Sequence, residues 1–252
     1  MKLTTSVLLA LLLCATGAVA GTIVVSGDSN LGNGIDGSGG APFGDNGVFF
    51  SNLLGSGMNV VLQPTTNGDT FTEVSSQNAI IAYYTGLGKT VSTVTTVTSG
   101  SLAGANLFIG FLPDIAYTPS EISAISAFLS GGGTVLFTGE WVPFDPGADA
   151  NINAALLAMG STLQINPAGL DLEWHTATGS QIAINPLTSG VNSFVYAATS
   201  GVSGGTPLFY TTNGTPFVEV NTATVTPEPG SLILLGSGLI GLAGVLRRKI
   251  SL

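Results

Sequence analysis

From residue 21 the chain alternates short apolar runs with glycine-rich polar stretches. Thr22-Ile23-Val24-Val25-Ser26 is continuous in apolar character and closes at Gly27, the pattern of a buried strand. Residues 31–47 are rich in Gly, Asn and Asp and carry no apolar period, which predicts a loop. Residues 48–54 have helical spacing and stop at Gly55; residues 59–62 predict the next strand. Over 71–84 the apolar positions Val74, Ile80, Ile81 and Tyr84 predict a second helix, ended by Gly86. In 90–98 Val alternates with Thr or Ser, which predicts a half-exposed strand.

The clearest unit runs from 105 to 137. A strand at 105–112 leads to Thr118-Pro119-Ser120-Glu121, a cap with proline at the first helical position. The helix over 119–129 places Ile122, Ile125 and Leu129 on one face and ends in Gly131-Gly132-Gly133, before a strand at 134–137. Strand, helix and strand in this order demand a parallel sheet. Residues 151–159 predict one more helix; after 161 only short β-like pieces follow. Residues 207–210 and 217–220 flank Asn213-Gly214 as a hairpin. The expected fold is α/β: a flavodoxin-like three-layer sandwich with a mainly parallel sheet over 21–160. An antiparallel, β-rich continuation of the same domain is expected over 161–226. The segment 106–141 resembles the class I glutamine amidotransferase-like fold over about residues 22–160. Those enzymes use a Cys–His pair, and this body has no cysteine, so nothing catalytic carries over.

Both ends carry targeting patterns. Residues 1–20 combine Lys2, the apolar stretch 7–13 and Ala18-Val19-Ala20, a small-residue cleavage site, and so predict a secretory signal peptide removed by signal peptidase. Cys14, the one cysteine, lies inside it, so the mature chain would offer no disulfide, thiolate nucleophile or Cys–metal site. At the other end, residues 231–246 are apolar and uncharged, short for a bilayer span, and are followed by Arg247, Arg248 and Lys249. By the positive-inside rule these bases keep the tip cytoplasmic and the body outside.

The order Pro227-Glu228-Pro229, apolar helix, basic cluster resembles the PEP-CTERM sorting signal of Gram-negative bacteria, over residues 227–252. The resemblance implies processing near the Pro-Glu-Pro by an exosortase, a membrane cysteine transpeptidase-like enzyme. The hydrophobic helix would then be a transient inner-membrane anchor. The body would pass to the cell surface or an exopolysaccharide matrix.

Composition narrows what the body can bind. Charged residues are only 8% of the chain. Over 21–229 there are 14 acidic residues against the single Lys89, a net charge of −13. With no basic patch to neutralise phosphates, nucleic-acid binding is excluded as a function, and cations are favoured over polyanions.

Val24-Val25-Ser26-Gly27-Asp28-Ser29-Asn30-Leu31 resembles the first block of GDSL-type (SGNH) hydrolases. The resemblance implies Ser29 as an ester-attacking nucleophile, which needs a base. The one histidine, His175, is preceded three positions earlier by Leu172 where that family has Asp, and no Gly-x-Asn-Asp block occurs. Asp28, Asn30, Asp36 and Asp45 share one loop of oxygen ligands suited to calcium, although Gly32 breaks the EF-hand spacing. Glu140 and Trp141 follow an expected strand and should line the sheet edge where open α/β folds bind ligands; Asp114 ends the neighbouring strand, and Asp28 and Asn30 are further ligand candidates. Carboxylates beside a Trp suit sugar hydroxyls and a stacked ring. The leading expectation is therefore an exported, exosortase-sorted, non-catalytic protein associated with exopolysaccharide. A divergent SGNH-like esterase and a carbohydrate-binding module are the alternatives.

Overall fold

The structure is a computed structural model, and it describes residues 21–222. The signal segment 1–20, the Pro227-Glu228-Pro229 motif, the apolar helix expected at 231–246 and the basic cluster 247–249 lie outside the described residues. Among the described residues no helix is long and apolar enough to cross a membrane. The described residues form one compact unit.

Eleven strands and five α-helices follow in order among the described residues. They are β1 (Thr22–Ser26), α1 (Asn33–Asp36), α2 (Asn46–Leu54), β2 (Asn59–Gln63), α3 (Glu73–Gly86), β3 (Thr90–Thr93), β4 (Leu107–Phe111) and α4 (Pro119–Ser130). Then come β5 (Thr134–Thr138), α5 (Pro146–Ala158), β6 (Gln164–Leu170), β7 (His175–Thr178), β8 (Ser193–Tyr196), β9 (Thr199–Ser203), β10 (Thr206–Tyr210) and β11 (Pro216–Thr222). The main sheet has seven strands in the order β10-β11-β1-β5-β4-β2-β3. β1 to β5 run parallel, while β11 pairs antiparallel with β1 and with β10. Two small antiparallel pairs, β6–β9 and β7–β8, complete the body.

Successive side chains along a strand face opposite sides of the sheet, and two cores follow from that alternation. Val24, Val60, Leu62, Ile109 and Leu136 point to one face and pack with Phe49, Phe50 and Leu53 of α2 and Ile80 and Tyr84 of α3. Ile23, Val25, Val61, Phe108, Val135 and Phe137 point to the other, against Ile125 and Leu129 of α4 and Ile152 and Leu156 of α5. β1, β4 and β5 are buried on both sides, which is why they read as unbroken apolar runs.

Three expectations are corrected by the structure. A flavodoxin order places the first strand between the second and third; here β1 lies beside β5, with β11 on its far side. The strand expected over 90–98 ends at Thr93. β3 is an edge strand paired only with β2; the chain leaves it after Val94 N bonds Leu62 O (3.0 Å) and turns Val97 into the α4-side core. The glycine-rich stretch 31–47 is no open loop. It makes 3₁₀ turns at 30–32 and 38–40 around α1, and Asn46 fastens it. The Asn46 amide donates to Leu31 O (2.7 Å) and Val195 O (2.8 Å), and its oxygen accepts from Val195 N (2.8 Å).

Thr118 caps α4 as its sequence implies. Thr118 Oγ1 accepts from Glu121 N (3.3 Å), and Glu121 Oε2 accepts in return from Thr118 N (2.9 Å). The same glutamate ties down the segment after β3 by accepting from Val97 N (3.1 Å).

Candidate functional site

The carboxyl ends of β1 and β5 lie side by side, so the turns that leave them meet although 111 residues separate Ser29 from Glu140. The turn after β1 starts at Gly27, whose N–H bonds Phe217 O (2.8 Å) and whose carbonyl accepts from Ser200 N (2.8 Å). A Cβ here would sit 2.0 Å from Ser200 O, so only glycine permits this approach. The close passage turns Asp28 inward. Its Oδ1 accepts from Asn30 N (2.6 Å) and its Oδ2 from Ala197 N (3.2 Å).

Ser29 is fully buried, and its hydroxyl donates to Glu140 Oε2 in a short contact. Asn30 Nδ2 reaches Glu140 Oε2 (3.5 Å) and Ala197 O (3.4 Å). Glu140 also takes its neighbour's Trp141 N on Oε1 (2.9 Å). Its backbone is pinned by Asp149 of α5, which accepts from Glu140 N (3.0 Å), and by Ser200, which donates to Glu140 O (2.8 Å). Ser200 Oγ also lies 3.3 Å from Asp149 Oδ2. Three carboxyls and two hydroxyls thus form one buried network with no basic side chain among its hydrogen-bond partners.

Burial without a cation sets the electrostatics. Desolvation pushes Asp28 up to about 8, against the backbone N–H bonds from Asn30 and Ala197. Desolvation, reinforced by the Asp28 carboxyl, holds Glu140 well above the usual carboxylate range. Asp149 is raised to about 6, again chiefly by burial. Such groups keep their protons where ordinary carboxyls lose them.

A cleft of about 470 Å³ opens beside this network. It is lined by Asn30 and Glu140, by Asn67, Asp69 and Glu73, and by Leu172, Glu173 and Trp174. Glu73, at the start of α3, is raised by desolvation and by the neighbouring Asp69 charge. The roughly 560 Å³ hollow between residues 179 and 192 carries no ionisable side chain.

The residues singled out from the sequence divide accordingly. Asp28, Ser29, Asn30 and Glu140 come together. Asp114 does not join them: its carboxylate binds Thr66 N (2.5 Å), Thr66 Oγ1 (2.8 Å) and Asn67 N (3.2 Å), and so shapes the loop after β2. Trp141 packs its ring on β6, where a Cβ at Gly169 would lie 2.0 Å from the indole nitrogen, and on Phe144 at 4.8 Å. His175 stacks on Tyr196 at 5.7 Å, and no hydrogen bond joins it to Ser29 among the described residues. Asp36 caps Ser38 N (2.9 Å), and Asp45 accepts from Asn192 N (2.9 Å) and Ser193 N (3.1 Å). Asp28, Asp36 and Asp45 therefore serve separate turns, and no three acidic or histidine side chains among the described residues are grouped to hold a metal ion.

The sequence reading missed Asp149, Ser200, Glu73, Glu173 and Trp174. Trp174 stands in Asp171-Leu172-Glu173-Trp174-His175, beside the one histidine. Asp149 had a signal, an acid in the first turn of a Pro-started helix. Ser200 had none.

Comparison with known proteins adds the sorting tail and little about the body. The PEP-CTERM protein-sorting motif matches residues 225–249. No curated protein matches the chain. Among solved structures, the mmIFT52 N-terminal domain aligns at 17% identity and a TM-score of 0.44, covering 60% of this chain and 76% of that one. A peptidase from an acI-B1 Actinobacterium aligns at 14% identity and a TM-score of 0.33, covering 60% of each chain. The tail match supports an exosortase-sorted, exported protein of the Gram-negative cell surface.

Proposed function

We propose that the exported protein is a non-catalytic surface or matrix component whose body binds polysaccharide in the cleft beside Glu140. Signal peptidase would remove residues 1–20, the helix at 231–246 would hold the chain in the inner membrane, and the exosortase would release the body. The scaffold is read as a variant of the flavodoxin-like and amidotransferase-like three-layer folds that has no catalytic cysteine.

One observation carries the binding reading: carboxyls, amides and an indole converge on a cleft large enough for a sugar unit. Sugars present hydroxyls to the polar groups and an apolar ring face to the aromatic one. The processed protein should be retained by exopolysaccharide from its own host on an affinity gel. Trp174→Ala should weaken retention about tenfold or more, as loss of a central aromatic anchor does. Equal mobility of both proteins with and without polysaccharide would remove this function.

The Ser29–Glu140 contact favours a second reading, a serine esterase in which Glu140 accepts the nucleophile's proton. Burial of Ser29 argues against it, because an acyl group must reach the hydroxyl. Hydrolysis of short acyl esters should be the same for the native protein and for Ser29→Ala. A native rate well above that of the variant would establish the esterase.

A further inference from the structure

Resting on the polysaccharide-binding reading, we propose that the cleft selects sugars that carry a free, protonated amine, such as de-N-acetylated hexosamine units. Three observations combine. The first is the sign of the lining: Asp69, Glu73, Glu140 and Glu173 face the cleft, and no Lys, Arg or His lines it. Lys89, the one lysine among the described residues, is engaged elsewhere, donating to Gly57 O (2.9 Å).

The second concerns hydrogen-bond capacity. Asn30 is only 4% exposed and lines the cleft, yet its amide oxygen has no partner among the described residues. Its amide nitrogen is already committed to Glu140 and Ala197 O, which fixes the oxygen as the group left over. An orphaned buried acceptor calls for a donor. An ammonium group has three donors and no acceptor, whereas a sugar hydroxyl or an acetamide brings acceptors into a cleft already full of them.

The third is the cleft's breadth and its apolar walls. Phe144, Leu172 and Trp174 line it beside the acids, and no three carboxyls among the described residues are grouped to share a metal ion. That combination suits an organic cation, with its ammonium group donating to the Asn30 oxygen and the acidic side chains and its ring against the indole, better than a bare divalent ion. The raised pKa of Glu73 and Glu140 is consistent with acids that lack a positive partner in the free protein.

The test is calorimetric titration of the full processed protein with a glucosamine oligomer, its N-acetylated counterpart and a neutral glucose oligomer. The pH is set slightly acid, so that the amines are protonated. The glucosamine oligomer should bind at least about tenfold more tightly than the other two, the difference expected of a charge-assisted hydrogen bond in a shielded site. Glu173 is exposed, so Glu173→Gln should leave folding intact while costing about tenfold for the amine sugar alone. Asp36→Asn removes the same charge outside the cleft lining and should change nothing, which separates the cleft from general attraction to an acidic body. Equal binding of all three oligomers would overturn amine selection and leave polysaccharide binding standing. Binding of none would overturn both. An equal loss in the Asp36 and Glu173 variants, or binding of calcium alone to the cleft, would also overturn amine selection.

Discussion

The protein is expected to be most stable near pH 4 and to lose stability steadily as the pH rises towards 8. The sign follows from the buried network. Asp28 titrates near 3.8 when unfolded and at about 8 when folded, and Asp149 near 3.8 and at about 6. Below 3.8 both states are protonated and burial costs nothing. Between the two values only the unfolded chain releases its protons, so each such group draws the equilibrium towards unfolding by about 1.4 kcal/mol per pH unit. Glu140 adds to the loss in the same direction. Asp45, lowered by its backbone bonds to Asn192 and Ser193, acts oppositely and weakens the fold only when the pH falls below its ordinary range. Melting temperatures should therefore fall across pH 4–8, with several kcal/mol lost in all. Asp28→Asn should flatten the part of the slope above pH 6. A melting temperature that rises from pH 4 to 7 would show that the network is ionised and held by something other than burial.

The second large effect lies in the aromatic cluster that joins the β-rich region to the helices. Phe194 of β8 stacks on Phe209 of β10 at 3.7 Å, and Phe49 of α2 meets both rings edge-on at 5.4 and 5.3 Å. All three are fully buried, and Phe217 of β11 closes the group at 6.3 Å from Phe194 and from Phe209. Phe194→Ala should cost about 3–5 kcal/mol in urea unfolding, the loss typical of a large aromatic removed from a packed core. Because the cluster spans α2 and the β-rich region, one transition should be seen by every probe. A second, separate transition in the variant would mean that residues 161–222 fold apart from the rest.

How much of this was legible depends on whether local pattern or distant pairing decides a position. β1 was readable because a strand buried on both faces must be apolar throughout, and Gly27 marks its end. The start of α4 was readable because Thr118, Pro119 and Glu121 are the capping chemistry itself. β6 and β9 were not. Thr199 and Ser200 are buried but polar, satisfied by bonds that no local pattern announces, and β6 carries a register shift between Asn166 and Gly169. At the site, Asp28, Ser29, Asn30 and Glu140 could be named because each follows a strand. Their meeting depended on β1 lying beside β5, a sheet order that the sequence does not specify. Trp174 lines the cleft in place of Trp141 for a similar reason: Gly169, distant in sequence, lets Trp141 pack on β6.

The central claim is that the tail addresses the protein and is then discarded, leaving the body outside the cell. Residues 225–249 match the sorting motif, with Pro227-Glu228-Pro229 ahead of the apolar segment and Arg247, Arg248 and Lys249 behind it. The direct measurement is the intact mass of protein recovered from the cell surface of an exosortase-bearing host. The mass should correspond to a chain that begins at Gly21 and ends near Pro229. Recovery of the full-length chain in the inner membrane at steady state, with none released, would contradict it.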